Sequence, residues 1–290
     1  MTEQIQEKLA LLGTEDEQQL SDWLGSSALF NGQRATTNLQ LIAELVDDSE
    51  LLVKILEDAF NVADPDAALN LLERQFCCVG AETVLSVLKM PQRCRQLLTI
   101  LGGSNFLAGI LCRRAEFCRQ LLHEGGIDSS RSEAEMLADL RQSIPDDADF
   151  QQLQAGLRHY KVEQILRIGS RDLCGLAELE EVTAELSGLA AASLQRAYEI
   201  CGLHLQAEYG EPLETTESGQ QRAEMTILGM GKFGGTELNF SSDIDLIYCY
   251  SSTNGETAGG SRGEKISLHR YFVKLAELVT RALHQVTEDG

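Results

Sequence analysis

The chain has 290 residues and carries 24 Lys+Arg against 45 Asp+Glu, a formal net charge of −21 at pH 7. Hydrophobic residues make up 43% and charged residues 24%, which argues against intrinsic disorder and leaves room for one large domain or two modest ones. A surface this acidic repels phosphate backbones and anionic lipid, so no nucleic-acid or membrane partner is expected; a small anionic substrate stays open if local donors or a metal supply positive potential.

From its start the chain reads as a protein of the cytoplasm. Residues 1–7 lack the basic and apolar regions of a signal peptide, and no apolar run reaches the roughly 18–20 residues that a bilayer demands. Apolar residues then recur at helical spacing: Leu39, Ile42, Leu45 and Val46, followed by Leu52, Ile55, Leu56 and Phe60. Asp64-Pro65-Asp66 starts another helix, with an acceptor at the N-cap and proline in the first turn. Met90-Pro91 interrupts the run holding Val84, Leu85, Val87 and Leu88, and Ser132 with Glu135 fits a capping box. From Phe150 to Tyr198 the sequence is nearly unbroken helix former, with Gly169, Gly175 and Gly188 as its soft spots. No fixed period recurs, so an irregular helical bundle is expected rather than a solenoid.

The texture changes near Cys201. Residues 210–219 are polar, bounded by Gly and holding a Pro, and read as a linker or loop. Met225–Gly229 reads as a strand, Ile244–Tyr250 as a second, residues 251–263 as a Gly/Ser/Thr loop, and residues 266–286 as a helix. The predicted fold class is therefore α+β and predominantly helical, with a helical domain over 1–215 and a β-containing module over 216–290. The eight cysteines (Cys77, Cys78, Cys94, Cys112, Cys118, Cys174, Cys201 and Cys249) form no C-x-x-C pair, and are expected to be reduced, mostly buried thiols.

The chemistry concentrates in residues 229–248. Asp243 and Asp245 stand two apart on a predicted strand, so their carboxylates leave one face, and they repel unless a cation sits between them. Hard oxygens at that spacing suit Mg²⁺ or Mn²⁺ shared with substrate phosphates. Upstream, with seven residues between Gly235 and Asp243, Gly234-Gly235 lets the backbone approach a ligand and offers N–H groups to phosphate, with Lys232 as a nearby point charge. A lone D-x-D or a lone glycine turn is weak; the order strand, Gly-Gly, spacer and D-x-D is far more specific. No Gly-Lys-Ser/Thr follows at P-loop spacing, and Gly229-x-Gly231-x-x-Gly234 matches the dinucleotide fingerprint by letter without its acidic ribose partner. His159, His204, His269 and His284 read as surface or core residues of helices. Arg167 and Arg171, on one helix face, read as solvated or salt-bridged, with substrate contact as the alternative.

Gly-Gly, a short spacer and Asp-x-Asp resemble the signature of the DNA polymerase β-like nucleotidyltransferase superfamily. The longer string over residues 231–247 resembles the bifunctional adenylyltransferase/adenylyl-removing enzymes of bacterial glutamine synthetase. Residues 101–108 and 166–186 are similar to helical segments of the same family. The position of the signature, after about 220 mostly helical residues, matches the first of that family's two modules, the adenylyl remover.

The resemblance implies phosphorolysis of adenylyl-tyrosine on glutamine synthetase by inorganic phosphate, giving ADP. It implies Asp243 and Asp245 as catalytic metal ligands, Gly234 and Gly235 as the phosphate turn, and Ser242 as a phosphate contact beside the ligands. It also makes the PII signalling protein a candidate partner. The superfamily uses a third carboxylate on a later strand, which in this family follows a T-x-D-G segment; Thr287–Gly290 ends the chain there, so that acid is expected beyond residue 290 and this chain alone is expected to be inactive. Two other readings remain: a silent helical interaction scaffold, and a nucleotidyltransferase acting on another protein or a small molecule.

Overall fold

The computed structural model describes residues 2–26 and 31–284. The T-x-D-G segment at 287–290 and the last two residues of the predicted C-terminal helix lie outside them. Backbone contacts divide the chain into two compact units, Met1–Ser129 with Leu166–Glu178, and Ser130–Ile165 with Leu179–Gly290. The boundary near residue 215, read from composition, falls inside the second unit.

The first unit is helical: α1 (Thr2–Leu9), α2 (Glu17–Ser26), α3 (Gly32–Leu45), α4 (Ser49–Ala59), α5 (Pro65–Val79), α6 (Ala81–Leu88), α7 (Pro91–Gly103), α8 (Asn105–Arg113) and α9 (Ala115–Cys118), then a π turn (Arg119–His123) and a 3₁₀ turn (Gly126–Asp128). Asp48 and Asp64 accept backbone N–H groups at the starts of α4 and α5, so each side chain satisfies donors that a helix start leaves free. The periodic residues Leu39, Ile42, Ile55, Leu56, Leu69 and Leu72 are fully buried, each contributing about 1.5–3 kcal/mol by leaving water. Gly102 closes α7 against the start of α5: the Asp64 N–H donates to Gly102 O at 3.0 Å, and a Cβ at 102 would lie 2.6 Å from Val62 Cγ2.

The second unit holds α10 (Glu133–Ser143), the N-terminal part of α11 (Phe150–Leu173), α12 (Leu179–Tyr209), β1 (Pro212–Thr216), β2 (Gly219–Arg222), β3 (Met225–Gly229), α13 (Gly231–Gly234), β4 (Leu246–Tyr250), β5 (Gly255–Thr257) and α14 (Leu268–His284). Of the three soft spots, only Gly175, at φ 64, interrupts helix; Gly169 and Gly188 sit inside α11 and α12. The capping box at Ser132 and Glu135 forms in full. The core joins Ile200 and Leu205 of α12 to Tyr271, Phe272, Leu275 and Val279 of α14, with Ile227 and Tyr248 packed against it. Tyr250 stacks on Phe272 with ring centroids 5.1 Å apart and bonds His269 Nδ1 at 2.8 Å.

Among the described residues two antiparallel sheets form, in the orders β2-β1-β5 and β3-β4. The stretch 210–219, expected as a linker or loop, instead supplies β1 and the turn into β2, and β5 lies within the expected loop 251–263. These strands escape a hydrophobic reading because β2 is exposed throughout and gains its order from backbone pairing, with Thr216 Oγ1 donating to Gly219 O at 2.9 Å across the turn. The cysteines also differ from expectation: Cys94, Cys118 and Cys201 are buried, Cys112 and Cys174 half-buried, and Cys77, Cys78 and Cys249 exposed.

Candidate active site

β3 delivers the chain to a tight turn at the edge of the second unit. Gly231 takes φ 55, a left-handed value that turns the backbone out of β3 and into α13. Gly234 then returns so close to β3 that a Cβ on it would lie 2.5 Å from Gly229 O. Gly235 is different, since a Cβ there would meet nothing nearer than Glu237 Cδ at 3.5 Å. The N–H of Gly234 donates to Met230 O at 3.2 Å and that of Gly235 to Gly231 O at 3.0 Å. These two amides are thus used within the turn, and what both glycines present outward is an exposed surface without side chains. Lys232 is exposed on the same turn.

The acid pair follows by way of a loop that α12 holds in place. Leu238 is buried, and its N–H donates to Ser187 Oγ of α12 at 3.2 Å. Asn239 Oδ1 accepts from Ser242 Oγ at 2.7 Å and from the Ser241 N–H at 3.2 Å, fixing the turn that leads into the acids. Ser242, expected beside phosphate, has its hydroxyl proton engaged by Asn239 in this arrangement. Ser187 and Asn239 are positioning residues that the sequence reading missed; Asn239-x-x-Ser242, an acceptor side chain opening a turn, was the available signal.

From Ser242 to Tyr250 burial alternates with a period of two, which places Asp243, Asp245, Ile247 and Cys249 on one exposed face. The predicted strand starts later than expected, at Leu246, so the acids precede it. Asp245 is nevertheless tied to the ladder, because the Met230 N–H donates to Asp245 O at 2.9 Å. That bond joins the glycine turn to the acid pair. A Cβ on Gly231 would also stand 4.0 Å from Asp245 Oδ2. All six expected residues (Lys232, Gly234, Gly235, Ser242, Asp243 and Asp245) therefore lie in one exposed or half-exposed segment.

Two arrangements elsewhere are structural. A cleft of about 980 Å³ in the second unit is lined by Arg141, Arg196 and Arg222 among others. Two of these arginines are engaged by protein acceptors: Arg196 bonds Ile144 O, Asp146 and Glu199, and Arg141 bonds Glu199. Burial by itself would raise the Glu199 carboxyl, but hydrogen bonds from Arg141, Gln195 and Arg196 outweigh it and hold the pKa at about 2. In the first unit, Arg167 and Arg171 are not solvated, and burial closes them to substrate, which leaves the salt-bridged part of the expectation standing. Both are buried, Arg167 donating to Ser129 O at 3.1 Å and Arg171 to Ile127 O at 2.9 Å, so they close the turn after α9.

Comparison with known proteins agrees with the resemblance. Residues 94–290 match the family model described as glutamate-ammonia ligase adenylyltransferase. A bifunctional glutamine synthetase adenylyltransferase/adenylyl-removing enzyme of Shewanella loihica is 36% identical over 200 residues, 69% of this chain and 20% of the relative. The protein of the same description from Burkholderia pseudomallei is 43% identical over 156 residues, 54% of this chain and 16% of the relative, and that of Pseudomonas aeruginosa is 33% identical over 199 residues, 69% and 20%. The chain spans about a fifth of the length of these curated relatives. With the match covering well over half of its residues, the chain belongs to the glutamate-ammonia ligase adenylyltransferase family.

Proposed function

We propose that this chain carries the adenylyl-removing site of an enzyme that regulates glutamine synthetase. Inorganic phosphate attacks the α-phosphorus of adenylyl-tyrosine, the bond from phosphorus to the tyrosine oxygen breaks, and a proton from the attacking phosphate ends on that oxygen. The products are ADP and free tyrosine. The observation that carries this reading is the acid pair on one exposed face, joined through Met230 and Asp245 to a bare glycine turn, in a chain of this family.

The donors fit a divalent ion, since both are hard carboxylate oxygens and the backbone beside Asp245 is a glycine whose missing Cβ leaves room. Asp243 and Asp245 would hold Mg²⁺ or Mn²⁺, which when bound neutralises charge on phosphate oxygens. Lys232 adds a positive charge for the incoming phosphate. Gly234 and Gly235 let that phosphate reach the turn surface, and Ser242 contacts it by exchanging its bond to Asn239. The PII signalling protein would act as a regulator of the whole enzyme, which makes its effect on ADP release a further measurement.

The test is phosphate-dependent ADP release from adenylylated glutamine synthetase, run on this chain and on a full-length relative. Among the described residues no group of three His, Cys, Asp or Glu is placed to hold a metal. Because the resemblance implies a third carboxylate on a later strand, the 290-residue chain alone is expected to release no measurable ADP, while the relative does so with divalent metal. Equal activity of the two would overturn the requirement for a third acid. Mn²⁺ binding by the chain, read by electron paramagnetic resonance, should be weak and should vanish in Asp243→Asn/Asp245→Asn; unchanged binding would reject the ligand assignment.

A further inference from the structure

The first unit contains a thiol pair that the proposed reaction does not use. Cys78 is the penultimate residue of α5 and Cys112 the penultimate residue of α8, and these helices pack together. Gln75 is fully buried one turn before Cys78 and donates its amide N–H to Cys112 Sγ at 3.0 Å. Residues three apart share a helix face, so Cys112 lies against the face of α5 that carries Cys78. Cys78 is near enough to Cys112 to act on its thiol. We propose that Cys78 and Cys112 form an oxidisable pair that closes to a disulfide under hydrogen peroxide, stapling α5 to α8 around α6 and α7.

Exposure sets the order of events. Cys78 is exposed and meets the oxidant first. Cys112 is half-buried; burial, and next the neighbouring Cys78, push its pKa up, so it keeps its proton until needed. The Cys78 sulfur attacks one peroxide oxygen, the O–O bond breaks, and water leaves with a sulfenic acid on Cys78. The Cys112 sulfur then attacks the Cys78 sulfur. The S–S bond forms, and the hydroxyl departs as a second water with the Cys112 proton. Two thiols lose two electrons and one peroxide becomes two waters.

Two neighbouring cysteines are disfavoured. Cys77 Sγ donates to Glu73 Oε1 at 3.7 Å, and the Glu73 charge pushes its pKa up. Cys118 is fully buried, and burial pushes its thiol up to about 12.

Peptide mapping of the 290-residue chain after brief peroxide treatment and thiol blocking should yield a cross-linked peptide joining Cys78 to Cys112. The link should survive Cys77→Ser and disappear in Cys78→Ser and Cys112→Ser, and dimedone should trap a sulfenic acid at Cys78 in Cys112→Ser. The thermal midpoint of the oxidised chain should rise by roughly 5–10 °C and fall back with dithiothreitol, as expected for closing a loop of this length. Mapping of the wild-type protein decides the pairing even where a serine variant fails to fold. A link from Cys78 to another cysteine, loss of the link in Cys77→Ser, or sulfinic acid at Cys78 with no link would overturn the proposal.

Discussion

The segments that carry the family resemblance behave differently in the two units. In the first, Gly102, Ser104, Arg167 and Arg171 are engaged by the fold: Gly102 against Val62 and Asp64, Ser104 Oγ on the Leu107 N–H, and both arginines on backbone carbonyls. In the second, Lys232, Gly235, Asp243 and Asp245 are exposed, in a segment whose turn bonds the Gly234 and Gly235 amides within itself. Both kinds of segment look alike as strings of Gly, Ser, Arg and Asp. Burial separates them, because a buried charged or polar group must be satisfied by the protein, whereas an exposed one has capacity left for a ligand.

The largest test of that division is at the acids. Asp243→Asn or Asp245→Asn, made at the matching positions of a full-length relative, should lower phosphate-dependent ADP release by about 10²–10⁴ while the melting temperature stays unchanged. Full activity in the double variant would dissolve the contrast between the two units.

The converse is Arg171→Met in this chain. It strips the donor from the Ile127 and Leu176 carbonyls and should cost roughly 2–4 kcal/mol, read as an early loss of helical circular dichroism on heating. A melt like that of the wild type would mean that these carbonyls find other partners.

A paired glycine comparison refines the point further. Gly102→Ala forces a methyl group against Val62 Cγ2 and Asp64 O and should cost about 1–3 kcal/mol. Gly235→Ala has space, so its stability should change by less than about 0.5 kcal/mol, and its cost should appear as a higher phosphate requirement in the relative. A large loss of stability at 235 would place that glycine with the structural set.

The smallest effect is a pH dependence. The Glu199 pKa is depressed from its ordinary 4.5 to about 2, so its stabilising contribution is complete above about pH 4.5 and is lost as pH falls toward 2. Glu199→Gln should melt below the wild type at pH 6, with the gap narrowing by pH 2.5. A gap independent of pH would show that its role is packing rather than charge.

Much of this was legible in the sequence because it rests on local rules. Asp64-Pro65, Ser132 with Glu135, the break at Met90-Pro91 and the strand at 225–229 each depend on a few neighbouring residues. The hairpin of β1 and β2 was not legible, because its polar residues are held by backbone pairing and by a third strand that starts only at Gly255. The burial of Arg167 and Arg171 was hard to read for a related reason: among their acceptors are main-chain oxygens, which carry no residue identity. The acids and glycines are proposed from their spacing, whereas Ser187, which anchors their loop from 51 residues upstream, had no sequence signal at all.

The hydrogen bond from the Met230 N–H to Asp245 O sets the spacing between glycine turn and acids through main-chain atoms alone. The Met230 side chain is 44% exposed. Position 230 should therefore accept nearly any residue during evolution without moving the acids, and drift there would reveal little about function. Proline is the exception, since it has no N–H to donate. A library of all substitutions at 230 should be flat except at that one letter.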